Sequence, residues 1–467
     1  MSVLVRTIVI VGGGFCGTTL AARLLRRPPP GPTRVILIER SREIGRGVAY
    51  AQRPFPYLLN VPAGRMSANA EAPNEFLHFA QRRLPNVTKE DFLPRELYGE
   101  YLQEMLLAAQ LTAPRGVMLE IWQGDVTGVR RVDRSLPLQV ELADGRRVTA
   151  DDVVLALGNP PPANLPPAKE IATHPAYVAD PYSTPFTSAR REQVLLIGTS
   201  LTAADIVNAL SNDPAKTPTL HLLSRHGLVP PRQTAFRPDA FKGDGNALLL
   251  VAATSLRGLT SSVRLLAREA EAQGGDWREA VTFVRNMAPT IWQRLPERDR
   301  MRFLRHLRAQ WDVHRHRLPP ETLSRFESLR QRERMYVHAG RIVAMQPEKE
   351  RISVTWRPRG ASQTQTQSFD RVINCTGPDY AIARSNDPLW RNLLQCGLCV
   401  PDALGLGLKT GPHGAVVDAD GWPGPHLFYL GPMLRADHWE ATAAAELRVH
   451  AERLAALLAQ DRTQGSR

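Results

Sequence analysis

The chain has 467 residues, 43% hydrophobic and 22% charged, which fits a soluble globular protein with room for two or three domains. Its formal net charge of +13 rests on arginine, since only six lysines occur. No block of like charge or basic–aromatic interleaving suits a nucleic-acid partner, although the basic balance favours anionic cofactors and substrates. Four cysteines are too few for a disulfide framework and point to a reducing cytoplasm. No apolar run reaches the ~18 residues of a membrane helix, and a secretory signal is not expected ahead of the first strand.

Residues 6–27 read RTIVIVGGGFCGTTLAARLLRR. The β-branched run 8–11 suits a strand buried on both faces of a parallel sheet. Gly12, Gly14 and Gly17 then fall in G-x-G-x-x-G spacing, followed by leucines at helical period. Gly12 allows a tight strand-to-helix turn, Gly14 lets backbone approach a pyrophosphate, and Gly17 lets helix and strand pack closely. The helix N-terminus offers unpaired N–H groups to phosphate. A second strand, 34–39, ends in Glu39, where a ribose hydroxyl would be bound. Strand, glycines, helix, strand and acid in this order predict a dinucleotide site.

Residues 40–67 are rich in glycine and proline and read as ligand-lining chain. Residues 73–83 and 94–110 read as helices, and 121–129, 138–142 and 147–149 as short strands. A strand in 151–162 ends in small residues and prolines, and the loop to about residue 190 reads as a domain crossing. The opening pattern then recurs at 193–210, QVLLIGTSLTAADIVNAL. Here Ser200 stands in the middle glycine position and Ala203 in the last, while Gly198 keeps the first. Ala is an allowed third residue, and the Ser200 hydroxyl could meet a phosphate oxygen. The partner strand 220–223 is followed by Arg225 where an NAD site carries an acid, which suits a 2′-phosphate and hence NADPH. A degenerate unit kept for packing is the alternative. Residues 243–333 are helical in pattern; 340–356, 368–375 and the LFYLG stretch read as strands, and the last helix as starting at Trp439. Residues 461–467 read as a tail.

Two strand ends, VVLALGNPP around Gly158 and VINCTGPD around Gly377, resemble the paired crossings of flavoproteins with two dinucleotide-binding domains. More narrowly, GRGVAY (45–50), LLNVPAGRMS (58–67), LPRELYGEYL (93–102), LIGTSLTAADIV (196–207), SRHGLVP (224–230), WDVHRHR (311–317) and FYLGPMLRADHWEATAAAELR (428–448) resemble a bacterial family of FAD/NAD(P)-binding proteins. The resemblance spans almost the whole chain. It implies an α/β fold with two Rossmann-like dinucleotide-binding domains, glutathione-reductase-like, carrying a helical insertion. The expected layout is an FAD domain in 1–190 and 336–460, an NAD(P) domain with the insertion in 191–335, and a tail at 461–467. It further implies Asn60 and Arg65 on the flavin side, Val126 as an adenine-side backbone contact, Gly431 near the ribityl chain with Asp437 replacing the usual aspartate, and Trp439 and Glu440 at a helix N-terminus facing the flavin pyrimidine.

What the resemblance implies chemically is tightly held FAD, reduction by NAD(P)H and reaction with O2. The expected activity is a monooxygenase acting through a flavin C4a-hydroperoxide on a small molecule, with His438 and Arg435 at the substrate. The narrowest expectation is hydroxylation of urate to 5-hydroxyisourate, in purine metabolism. The F-x-G-x-x-x-H-x-x-x-W fingerprint of Baeyer–Villiger and N-hydroxylating enzymes is absent from the sequence, which lowers those chemistries. A reductase using Cys396 and Cys399 as a C-x-x-C dithiol, and a non-catalytic FAD redox sensor, remain alternatives. No metal site is expected.

Overall fold

The structure, a computed structural model, describes residues 5–131, 137–183, 189, 191–233 and 241–460. The expected tail at 461–467 lies outside the described residues. The chain divides into two compact units. The first comprises Met1–Gln52, Val61–Pro160 and Tyr380–Arg467, and the second Arg53–Asn60 and Pro161–Asp379.

In the first unit a six-stranded sheet runs in the order Ala415–Val417, Pro423–Tyr429, Asp152–Leu155, Arg6–Val11, Thr33–Glu39, Val117–Gln123. All neighbours are parallel except the edge pair Ala415–Val417 and Pro423–Tyr429. Ile8, Val9 and Ile10 are fully buried, as the unbroken apolar run requires of a central strand. The helix Phe15–Arg26 covers this sheet and packs against the helices Arg95–Leu111 and Ala444–Leu458. The Arg6 guanidinium closes the unit: it donates to the buried Asp152 carboxylate at 2.8 Å and to the Leu458 carbonyl at 2.7 Å. A three-stranded antiparallel sheet, Val126–Arg130, Leu138–Leu142 and Arg147–Ala150, stands as an insertion.

The second unit repeats the plan around seven strands, ordered Gln365–Phe369, Arg351–Pro358, Met335–Glu348, Thr219–Ser224, Gln193–Ile197, Arg371–Asn374, Tyr177–Val178. Its last four strands and the first half of Met335–Glu348 are parallel; Arg351–Pro358 and Gln365–Phe369 fold back as a meander. Residues 243–333 are helical as read, with breaks where capping side chains occur. Asp244, Ser255 and Asp276 each accept from a first-turn backbone N–H; Asp244 starts the first of these helices, and Ser255 and Asp276 start the ones that follow.

Two expectations need correction. The unit boundaries fall at 160/161 and 379/380, whereas the sequence suggested 190/191 and 335/336. The reason is pairing: Tyr177–Val178 adds to Arg371–Asn374, and the meander extends the second sheet. The excursion Arg53–Asn60 also belongs to the second unit, because Tyr57 is buried in its core beside Val194 and Leu196. The last helix begins at Ala444 rather than Trp439. Before it, Pro432–Ala436 is a short 3-10 turn, and Ala441 N–H donates to His438 and Thr442 N–H to Glu440, contacts too tight for an α-helical ladder.

One face of the second sheet carries a buried polar chain. His221 contacts Gln193 Oε1 through Nε2 and His338 Nε2 through Nδ1, each at 3.0 Å. Burial holds the His221 imidazole down from 6.5 to about 4, and His338 is lowered too. The unfolded chain therefore takes up protons that the folded unit refuses, and this stability, complete above pH about 6.5, is lost as pH falls toward about 4. The thermal midpoint should fall across that window, and less steeply in His221→Gln. Parallel slopes for the two proteins would contradict this account.

Candidate dinucleotide-binding sites

In the first unit the glycine turn joins Arg6–Val11 to the helix Phe15–Arg26. Gly12 has φ +106°, and a Cβ there would lie 2.6 Å from the Ala156 carbonyl oxygen on the crossing after Asp152–Leu155. A Cβ on Gly17 would lie 1.9 Å from the Gly12 oxygen, so helix and strand touch with nothing between them. Gly14 differs: the nearest atom to its Cβ position is Gly47 Cα, at 3.7 Å. The protein's own packing leaves room for a side chain there, so the glycine keeps a cradle open at a helix start that has no side-chain cap. Gly158 likewise faces no atom within 4 Å. Both observations fit a phosphate-bearing ligand passing over the carboxyl ends of the strands.

Glu39 ends the second strand and is buried. Its carboxylate accepts from Gly13 N–H at 2.6 Å and from Ser41 N–H at 2.9 Å, which fixes it beneath the turn. A carboxylate accepts about four hydrogen bonds, so capacity for a ribose hydroxyl remains. The GRGVAY loop is tied to the same turn by Gly45 N–H donating to the Gly13 oxygen at 2.7 Å.

Further along the carboxyl edge, Arg435 is buried between two aromatic faces, 5.3 Å from the Tyr380 ring and 4.4 Å from Trp439. Tyr380 donates to Asn159 Oδ1 at 2.7 Å, next to Gly158. Tyr380 thus links Asn159 to Arg435 and Trp439, with a fixed positive charge held by π faces. Gly431 packs against the Leu157 oxygen and the Tyr429 hydroxyl, and Tyr429 donates to Leu157 at 3.0 Å. Asp437 accepts from Thr410 at 2.6 Å. Glu440 is buried in the same loop. His438 packs on His450 with ring centres 4.7 Å apart. Burial lowers the His438 imidazole; Asp437 opposes the shift and Arg453 adds to it. His450 is lowered to about 4 by burial, His438 and Arg453. Val126 is buried at the start of its strand, and Arg65 is exposed in the 3-10 turn Ala63–Arg65. Asn60 is exposed and belongs to the second unit.

The second unit carries the same device. Gly198 has φ +128°, and a Cβ there would lie 2.5 Å from the Cys375 oxygen. Ala203 is fully buried and carries the methyl that Gly17 could not, while Ser200 is exposed at the helix start of Leu201–Leu210. Gly377 has φ +85° with no atom within 4 Å of its Cβ position. Thr199 donates to the Leu228 oxygen at 2.5 Å and contacts Ser224 Oγ at 3.0 Å, locking the turn to the 224–228 loop. Arg225 is exposed in that loop. Thr199 and Ser224 were missed from sequence; the SRHG run was the available signal.

Cys396 and Cys399 are free. Cys399 is buried and its thiol is pushed up to about 12, the reverse of an activated redox cysteine. His314 sits exposed on the helix Arg308–Arg315.

Residues 9–160 match the family model described as FAD-NAD(P)-binding, so the first turn lies in an FAD/NAD(P)-binding segment. No curated protein sequence matches the chain. Among solved structures, the ornithine hydroxylase PvdA from Pseudomonas aeruginosa is similar with a TM-score of 0.63 at 14% identity, covering 98% of this chain and 99% of that one. The ornithine N-hydroxylase KtzI of Kutzneria sp. 744, solved with reduced FAD, NADP+ and L-ornithine, gives 0.61 at 17% identity, covering 97% and 99%. The bacillithiol disulfide reductase of Staphylococcus aureus gives 0.55 at 13%, covering 97% and 98%. At these identities the likeness establishes the fold alone: an α/β chain built on two sheets of the kind these structures carry. Among the described residues no helix is long and apolar enough to cross a membrane.

Glycine substitutions separate fold from ligand. Gly17→Ala should lower the thermal midpoint sharply or abolish soluble protein, because backbone must move. Gly14→Ala should keep the midpoint within a few degrees yet lose bound flavin, read as absorbance per chain after purification. Retained flavin in Gly14→Ala would contradict the open cradle.

Proposed function

We propose that the chain is an FAD- and NADPH-dependent monooxygenase that hydroxylates a small amine. FAD is assigned to the first unit and the nicotinamide cofactor to the second. The observation that carries the reading is the repeated turn: Gly12 against Ala156 and Gly198 against Cys375 build two dinucleotide cradles of one design. Glu39 after the second strand suits the unphosphorylated ribose of FAD, and Arg225 in the equivalent place suits a 2′-phosphate. FAD held in the first unit would supply the redox chemistry between NADPH and O2.

The chain's own residues bind and orient. The helix Phe15–Arg26 directs its free N–H groups at a pyrophosphate. Arg435, buried and held by Tyr380 and Trp439, provides positive charge at the carboxyl edge. His438, kept neutral by burial, can accept a proton from a protonated amine. An amine takes the place of urate because neighbours that span the chain almost completely are ornithine hydroxylases. The absent F-x-G-x-x-x-H-x-x-x-W fingerprint stands against amine chemistry, and the full-length structural match weighs more. The disulfide-reductase reading has a neighbour in the bacillithiol enzyme, but Cys399 lacks the reactivity it needs.

The test is NADPH oxidation and O2 uptake by the purified flavoprotein with ornithine, lysine, simple diamines and urate. An amine should yield a hydroxylamine coupled to NADPH use, and His438→Ala should cut that rate by about 10²-fold. Cys396→Ala with Cys399→Ala should leave turnover unchanged. Product from urate alone would sink the amine reading, and bound flavin with negligible turnover on any compound would favour a sensor.

A further inference from the structure

The second turn sits beside a cationic group of which the sequence announced Arg225 but not Arg359. Ser224 at the end of Thr219–Ser224 lies in parallel register with Ala339. The meander brings Arg359 back to the same point, where its backbone N–H donates to the Ala339 oxygen at 2.8 Å. Its guanidinium Nη1 reaches His226 Nδ1 at 3.1 Å. Arg225 is near enough, with Arg359, to depress the His226 imidazole by charge, after burial as the larger cause. Arg225 and Arg359 are both exposed, and among the described residues neither has a carboxylate partner. The Gly227 N–H donates to Ser224 Oγ at 3.0 Å, fixing the loop between the arginines. Two unneutralised guanidiniums at the carboxyl edge, beside the turn that Thr199 locks, are a receptor for a dianion.

We propose that Arg359 is a second specificity-determining residue for the 2′-phosphate of NADPH, and that His226 is its positioning residue. The inference rests on the assignment of the nicotinamide cofactor to the second unit. Arg225 alone would give one charge on a mobile side chain. Arg359 comes from the turn after Arg351–Pro358, so its backbone is pinned by the sheet, and neutral His226 accepts one of its N–H groups. The remaining donors are left to face the ligand. His226 thus orients Arg359 without itself needing charge.

The test uses the complete flavin-loaded protein and calorimetric binding of 2′,5′-ADP and 5′-AMP, which differ only in the 2′-phosphate. The wild type should prefer 2′,5′-ADP. Arg359→Ala should weaken 2′,5′-ADP roughly tenfold while AMP affinity stays within about twofold. His226→Ala should lose part of that preference, and His226→Asn, which keeps an acceptor, should restore it. Intact AMP binding and flavin content show that the variants are folded. Preference lost in Arg225→Ala but unchanged in Arg359→Ala would overturn the inference and leave the NADPH assignment standing. No preference in the wild type would overturn both.

Discussion

One contact, made twice, sets the rest of the molecule: the first glycine of a strand-to-helix turn pressed against a carbonyl of the neighbouring crossing. Gly12 meets Ala156 and Gly198 meets Cys375 at distances that exclude a side chain. Both glycines also hold positive φ, which other residues adopt at a cost. With the crossing held so close, each turn opens only toward the carboxyl ends of the strands. That constraint puts the cofactor edge, the Arg435 group and the Ser224 loop where they are.

The two units solve the same problem with different margins. In the first, Gly17 lets the helix touch the turn directly, and Glu39 is clamped by two backbone N–H groups. In the second, Ala203 is accommodated and side chains take over, with Thr199 and Ser224 lashing the turn to the following loop. A buried acid against an exposed basic cluster, with no carboxylate partner among the described residues, is the electrostatic difference between them. It supports opposite assignments for an unphosphorylated and a phosphorylated ribose.

The turns were legible in the sequence because their constraint is residue-specific and local: only glycine fits, at fixed spacing, between a β-branched run and a leucine period. The two-unit α/β plan and the helical stretch followed for the same reason. Long-range pairing was not legible. Tyr177–Val178 is too short to show a period, and Arg53–Asn60 is bound to its unit through Tyr57, so the boundaries were misplaced. Residues 439–442 lead into an alanine run but spend their hydrogen bonds in tight turns, which delays the last helix to Ala444. His226 and Arg359 meet across 133 residues through sheet register alone. Arg435 was singled out, but its seat between Tyr380 and Trp439 depends on a loop fold that no spacing reveals.

The proposed enzyme holds FAD in one unit and binds NADPH, its hydride donor, in the other. Anaerobic mixing of the purified protein with NADPH tests it most directly, by flavin content and visible absorbance. The account predicts one FAD per chain, bleached by NADPH more readily than by NADH. A protein that binds no flavin, or whose bound flavin stays oxidised under NADPH, would contradict it.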